Sequence, residues 1–295
     1  TIWNRRLLDL EGVERMAAVP WPPQGPFDLT LVRLPKTRDE QAMTVHAALS
    51  VLRAGGQLVL YGGNDEGIRP AVALLEELAG GVETLAARGH GRVLRVRRPE
   101  DPSSLRGCLR AWRTLSEIDI AGRVRPWVSY PGCFAAGRLD EGTALLLSAL
   151  PPLPPGARVL DYGCGTGAIA GAALDLQPDL RLDAIDSDAV ALEAARENVP
   201  SARLVLGARL GDAGRVGYHV ILSNPPLHQG IAGDLSLLER LVADAPSRLA
   251  SGGDLTLVVP RRVALERLLA RHFPKLEIAA ETGRYRVWRA WSQAR

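Results

Sequence analysis

An apolar run, Val159-Leu160-Asp161-Tyr162, leads into three alternate glycines at Gly163, Gly165 and Gly167, and 19 residues beyond the last of them Asp186 ends another apolar run. Glycines at a strand-to-helix turn let backbone approach a ligand because no Cβ intervenes, although such turns also serve only to pack a helix close to a sheet. A carboxylate at the end of the following strand accepts both hydroxyls of a ribose. Together they predict a nucleoside-containing cofactor. A dinucleotide needs G-x-G-x-x-G to admit its pyrophosphate at the helix N-terminus; here the loop is G-x-G-x-G and follows an acid, Asp161, which suits a ligand with a cationic amino group and no phosphate. S-adenosylmethionine answers that description, with Asp161, Gly163, Cys164, Gly165, Gly167, Asp186 and Ser187 as its expected contacts. Asp188 reads as the N-cap of the next helix.

A second cluster, Ser223-Asn224-Pro225-Pro226-Leu227-His228, closes a β-type run that begins at Tyr218. Consecutive prolines donate no ladder hydrogen bonds, so they stiffen a turn at the C-terminal end of a strand. The turn leaves two acceptors, the Asn224 side-chain oxygen and the Pro225 carbonyl. Such a pair can hold both hydrogens of a planar NH2 group and orient its nitrogen toward an electrophilic methyl. No strong base is required, because the nitrogen becomes acidic only as its bond to carbon forms. Asn224, Pro225, Pro226, Leu227 and His228 are therefore the expected catalytic residues. His228 has two readings, a base contact or a hydrogen-bonded structural histidine.

The elements that must carry these motifs follow from periodicity. From about residue 154 short β-type runs (158–161, 182–186, 203–206, 218–223, 254–259, 276–280, 285–291) alternate with helical runs (168–176, 188–197, 234–249, 263–272), and a helix over 140–150 ends at Pro151. This is the pattern of a complete doubly wound α/β domain. The first 130 residues echo its second half: Phe27 to Val32 resembles Tyr218 to Ser223, Gly55-Gly56 resembles Gly252-Gly253, and Gly91 to Val96 resembles Gly283 to Trp288. Upstream of Phe27 there is too little chain for a second glycine loop. The expectation is two tandem Rossmann-like domains: residues 1–130, truncated and degenerate, and residues 131–295, complete and seven-stranded. A competing alignment of Val59–Gly67 with Val159–Gly167 extends over barely ten residues.

Composition narrows the classes. With 46% apolar and 23% charged residues the 295-residue chain is neither disordered nor collagen-like, and its apolar runs are far shorter than the roughly 18 residues of a membrane span. Thr1 to Gly12 carries Arg5, Arg6, Asp9 and Glu11 with no apolar region after it, unlike a signal peptide. Three cysteines without a C-x-x-C pair indicate neither a disulfide framework nor a zinc site. A cytoplasmic, metal-free monomer is expected. Of 36 basic residues 34 are Arg, and the net +3 lies wholly in residues 1–133, with 18 basic and 15 acidic. That permits an anionic partner without establishing one. Arg88, Arg92, Arg95, Arg97 and Arg98 offer phosphate contacts, or simply a solvated face.

Taken together, Phe134, Leu139-Asp140-Glu141-Gly142-Thr143, the glycine loop 161–167, the turn 223–228 and Thr282-Gly283-Arg284-Tyr285-Arg286-Val287-Trp288-Arg289-Ala290 resemble the ribosomal RNA guanine-N2 methyltransferases of the small-subunit methyltransferase C type. The resemblance spans essentially the whole chain, and Gly62 to Arg69 resembles the family's first domain. It implies a class I methyltransferase fold and an inactive N-terminal domain that docks RNA beside an active C-terminal one. It also implies S-adenosylmethionine as cofactor and ribosomal RNA, or the small subunit, as partner. Thr143 joins the expected cofactor contacts, and Phe134, Arg284 and Arg286 the substrate contacts. The sequence departs from the family pattern at Leu227, where an aromatic residue is usual, so stacking on a flipped base passes to Phe134. His219 replaces an acid, and Arg209 stands where a short polar side chain would meet adenine, with Asp212 as substitute. Three rivals stay open: a protein glutamine N5-methyltransferase, a DNA adenine methyltransferase, and a catalytically inactive RNA-binding scaffold.

Overall fold

The computed structural model describes residues 2–7, 16–120, 122–227 and 232–293. Ile2–Asn4 (β1) and Met16–Ala18 (β2) form a short parallel pair, followed by Phe27–Arg33 (β3), Arg38–Ser50 (α1), Leu52–Gly63 (β4), Ile68–Leu78 (α2), Glu83–Arg88 (β5) and Gly91–Arg97 (β6). Thr114–Ile120 (β7) and Arg123–Ser129 (β8) make an antiparallel hairpin. Then come Glu141–Ser148 (α3), Arg158–Tyr162 (β9), Ala168–Leu176 (α4), Arg181–Asp186 (β10), Ala189–Asn198 (α5), Arg203–Leu206 (β11) and Tyr218–Ser223 (β12). Ala232–Arg248 (α6), Leu249–Pro260 (β13), Glu266–Ala270 (α7), Lys275–Glu281 (β14) and Tyr285–Trp291 (β15) complete the chain.

Two compact units result. The first comprises Thr1–Arg5, Gly12–Arg113 and Tyr130–Gly132, the second Arg6–Glu11, Thr114–Ser129 and Cys133–Arg295. The single cut expected at residue 130 does not follow this packing. The β7–β8 hairpin groups with the second unit, where Ile118, Ile120 and Trp127 enter the same buried cluster as Val159, Ile169 and Leu222.

The second unit is built on a seven-stranded sheet in the order β11-β10-β9-β12-β13-β15-β14, parallel except for β15, which runs antiparallel to both neighbours. Alternate residues feed opposite faces. Val159, Val220 and Val258 join one buried cluster, while Leu160, Ile221 and Leu257 join the other. The order of the strands reverses between β9 and β12, and in such sheets the crevice at the carboxyl ends of the reversing strands is where ligands bind.

In the first unit the sheet order is β3-β4-β6-β5, with β3 parallel to β4 and the rest antiparallel. It repeats β12-β13-β15-β14 in detail: the register shifts between Phe27 and Leu29 as between Tyr218 and Val220, and between Thr84 and Ala86 as between Ile278 and Ala280. Gly56 and Gly253 share a reason. A Cβ on Gly56 would stand 2.9 Å from the Arg53 carbonyl oxygen, and one on Gly253 2.8 Å from that of Tyr218. The long echo therefore describes the fold, and the ten-residue alternative does not. One buried cluster, around Leu49, Leu58, Leu60, Leu75 and Leu94, lies between this sheet and α1 and α2.

Two elements differ from expectation. The helix expected over 263–272 is only Glu266–Ala270, because the Arg261 N–H bonds Arg284 O and the Val263 N–H bonds Pro260 O, which holds the preceding residues in a turn. The strand expected from 254 begins at Leu249, which pairs with Tyr218 before the glycines shift the register.

Candidate active site

Parallel register assembles the motifs. Ile185 pairs with Tyr162 and Ser223 with Tyr162, so the next residues of the three strands, Asp186, Gly163 and Asn224, stand in one row at the carboxyl ends of β10, β9 and β12. Ser223, fully buried, ties β12 to β9 by donating from its hydroxyl to Tyr162 O at 2.8 Å.

The three loop glycines serve different needs. All have positive φ, at 71°, 54° and 92° for Gly163, Gly165 and Gly167. A Cβ on Gly163 or Gly165 would meet nothing within 4 Å, whereas one on Gly167 would stand 2.8 Å from the Val199 side chain. Gly167 packs the helix, and the open space lies over the other two. The N–H groups of Gly163 and Cys164 donate to Ile185 O, that of Gly165 to Asp186 Oδ2 at 2.7 Å, and that of Gly167 to Cys164 O. Three of these four donors are thus taken by the end of β10 and the fourth by the loop itself. The Cys164 thiol lies buried in the core, and burial pushes its pKa well up, so its expected ligand contact is not through sulfur.

Asp186 receives two backbone N–H groups, from Gly165 and, at 2.8 Å, from Asp188, while its pKa is raised chiefly by burial. Asp188 caps α5 as expected, accepting from Val190 N and Ala191 N. The carbonyl of Ser187 accepts the N–H of Leu7. Asp161 is wholly inaccessible. Its Oδ2 accepts the Ala170 N–H at 3.0 Å while Oδ1 has no partner among the described residues, and burial drives its pKa up to about 7 against the pull of that N–H. A buried carboxylate oxygen without a donor is costly unless a ligand completes it. An orphaned acid and open space over two glycines are what the amino group and backbone approach of S-adenosylmethionine require.

The Asn224 amide is held from one side. Nδ2 donates to Asp140 Oδ2 at 3.0 Å and to Thr143 Oγ1 at 2.9 Å. Asp140 is the N-cap of α3 and accepts the Thr143 N–H with the same oxygen. Thr143, an expected cofactor contact, is thereby bonded to Asn224. Pro225 is buried, Pro226 exposed, and Leu227 packs partly buried against the core cluster of Leu160 and Ile221. His228 lies outside the described residues. Phe134 is 54% exposed in a short 3-10 turn, free to present its ring.

Other expectations fare differently. Arg284 pairs with Glu141 at 2.6 Å and Arg286 with Glu281, so both guanidinium groups already hold carboxylates. His219 Nδ1 accepts the Arg158 N–H, a structural role. Asp212 Oδ2 accepts the N–H groups of Ala208 and Arg209, closing the turn after β11. In the first unit Arg95 pairs with Glu83, while Arg88 and Arg92 line a cleft of about 340 Å³ with Arg33, Tyr61 and Glu66. Among the described residues no group of three or more His, Cys, Asp or Glu side chains is placed to hold a metal, and no helix is long and apolar enough to cross a membrane.

Sequence reading missed the supports. The Trp127 indole donates to Thr166 Oγ1 at 2.9 Å, and Asn198 bonds both Val128 and Thr166 O. Asp140 was visible only as part of a motif.

A seven-stranded sheet whose switch point carries this glycine loop and an Asn-Pro-Pro turn defines a methyltransferase. Residues 126–289 match the Methyltransferase small domain family, and residues 9–104 match the Methyltransferase small domain N-terminal family. Curated relatives named ribosomal RNA small subunit methyltransferase C include one from Pseudomonas aeruginosa strain LESB58, 34% identical over 91% of this chain and 80% of its own length. Another, from Psychromonas ingrahamii, is 30% identical over 88% and 75%. The T. thermophilus 16S rRNA N2 G1207 methyltransferase, solved with AdoMet and guanosine, superposes with a TM-score of 0.84 at 24% identity, covering 95% of this chain and 77% of that one. The chain belongs to the ribosomal RNA small subunit methyltransferase C family.

Proposed function

We propose that this chain methylates the exocyclic N2 amino group of a guanine in 16S ribosomal RNA with S-adenosylmethionine as cofactor. The observation that carries the reading is Asn224: its NH2 is engaged by Asp140 and Thr143, which leaves Oδ1 as an acceptor in the row with Gly163 and Asp186. S-adenosylmethionine, held by Asp161, Asp186 and the glycine loop, would supply an electrophilic methyl; as the guanine N2–carbon bond forms, the sulfur–carbon bond would break with its electron pair passing to sulfur, and the proton of the alkylated amino group would leave to solvent water. Asn224 Oδ1 and the Pro225 carbonyl accept the amino hydrogens, contacts that strengthen as nitrogen turns cationic. Asp161 is assigned to the cofactor's amino group, Asp186 to its ribose, and Gly163 and Gly165 to close backbone approach. A guanine within a helix must first be extruded, at roughly a few kcal/mol. Phe134, whose ring is exposed, is assigned to stack on it. The first unit, with Arg88 and Arg92 lining its cleft, is assigned to RNA docking. Action on ribosomal RNA fits a cytoplasmic enzyme.

The test is transfer of labelled methyl from S-adenosylmethionine to small ribosomal subunits and to naked 16S RNA, followed by nucleoside mass analysis. Labelled N2-methylguanosine, reduced about 100- to 1,000-fold in single-turnover rate by Asn224→Ala with cofactor affinity kept, is expected. Label on protein glutamine or on DNA adenine, or none on RNA, would overturn it.

A further inference from the structure

A side-chain amide is nearly symmetric in shape but not in chemistry. Rotated by half a turn, Asn224 would point its NH2 at an incoming amino group, donor against donor. The surroundings decide which orientation is held. Asp140 presents a carboxylate, which only accepts, so the nitrogen end must face it. Nδ2 lies 3.0 Å from Asp140 Oδ2 and 2.9 Å from Thr143 Oγ1, which occupies both of its hydrogens. The reversed amide would set Oδ1 against a negative oxygen.

This carboxylate is itself fixed. Oδ2 receives the Thr143 N–H at 3.0 Å at the start of α3, where the helix dipole also favours a negative charge. Thr143 is buried, and at Gly142 a Cβ would approach Asp140 Oδ2 to 3.1 Å and the Tyr285 ring to 3.2 Å. Capping needs only a short polar acceptor at position 140. A bond from Asn224, 84 residues away, is no part of a cap.

We infer that Asp140 and Thr143 are positioning residues for methyl transfer: they lock the Asn224 amide so that Oδ1 is the acceptor for the substrate amine, an inference that rests on the amino-group reading of the Asn-Pro-Pro turn. Asp140 adds a second effect. A donor bonded to a carboxylate passes electron density to its own carbonyl, so Oδ1 becomes the stronger acceptor as the attacking nitrogen gains positive charge.

The experiment measures single-turnover methylation of small subunits at saturating cofactor, with cofactor affinity measured separately. Asp140→Ser keeps a helix cap, and Thr143→Val keeps both cap and shape. Asp140→Ser is expected to slow transfer roughly 10- to 100-fold, the scale of a hydrogen bond to a charged group, and Thr143→Val roughly 5- to 100-fold, the scale of leaving a buried donor without its acceptor. Cofactor affinity should stay within about twofold, and Thr143→Ser should restore the rate. In an Asn224→Ala background neither change should slow transfer further, because residues acting through one another are not additive. A structural role would lower the rate equally in both backgrounds. Wild-type rates for the single variants beside a slow Asn224→Ala, or losses that multiply in the double variants, would overturn the inference and leave the turn's role standing. A fast Asn224→Ala would overturn both. If Asp140→Ser does not fold, Thr143→Val and its rescue carry the test alone.

Discussion

The indole N–H of Trp127 donates to Oγ1 of Thr166 across 2.9 Å and 39 residues of chain, so the β7–β8 hairpin buttresses the glycine loop. Asn198 completes the clamp, giving its amide hydrogens to Val128 O and Thr166 O. Trp127 is 1% exposed and among the largest buried side chains. Trp127→Ala should cost about 3–5 kcal/mol of stability, and Trp127→Phe about 1–3 kcal/mol, by leaving the Thr166 hydroxyl without its donor. Denaturant melts measure both. Calorimetry on the folded Phe variant should show weaker S-adenosylmethionine binding; unchanged affinity would mean the loop holds its shape unaided.

The same relationship decides where the chain can be divided. A fragment beginning at residue 131 loses Ile118, Ile120 and Trp127 from the core of the second unit, whereas one beginning at 114 retains them. The longer fragment should be more soluble and melt at higher temperature. Equal melting temperatures for the two would show that the hairpin adds nothing to that core.

Asp161 gives a pH dependence of defined sign. Its carboxyl titrates ordinarily at 3.8 and in the folded protein at about 7, chiefly through burial. Between those values the folded form keeps a proton that the unfolded chain has lost, so this group's contribution to stability falls as pH rises from about 4 to about 7. Asp161→Asn should therefore raise the melting temperature more at pH 8 than at pH 5. Cofactor affinity should run the other way. The ionised acid pairs with an ammonium group, so wild-type affinity should improve from pH 6 to pH 8 and the Asn variant should lose that slope. A flat wild-type profile would remove Asp161 from the amino-group site.

Gly163 and Gly167 should separate by phenotype. Alanine at 163 fills open space at a cost of about 1–2 kcal/mol for its positive φ, and should chiefly weaken cofactor binding. Alanine at 167 meets Val199 as well and should chiefly destabilise the fold, by about 1–3 kcal/mol more. Matched melts and titrations of the two variants check this; equal losses of stability would contradict it.

What the sequence determined by itself was the chemistry carried by contiguous residues. A glycine loop between strand and helix, an acid ending the next strand and an Asn-Pro-Pro turn each do their work within a few positions. Their meaning survives without coordinates. The repeat of β12 to β15 in β3 to β6 was legible for the same reason, since its glycines answer to clashes with carbonyl oxygens a few residues away or on the paired strand. Tertiary structure decided what long-range register and packing decide. It set Gly163, Asp186 and Asn224 in one row, gave Gly167 to Val199, and closed Arg284 and Arg286 on carboxylates that spacing could not reveal. It also moved the hairpin into the second unit. Above all it joined Asn224 to Asp140, because which end of an amide faces a substrate depends on the acceptor behind it, and that acceptor comes from a helix 84 residues earlier in the chain.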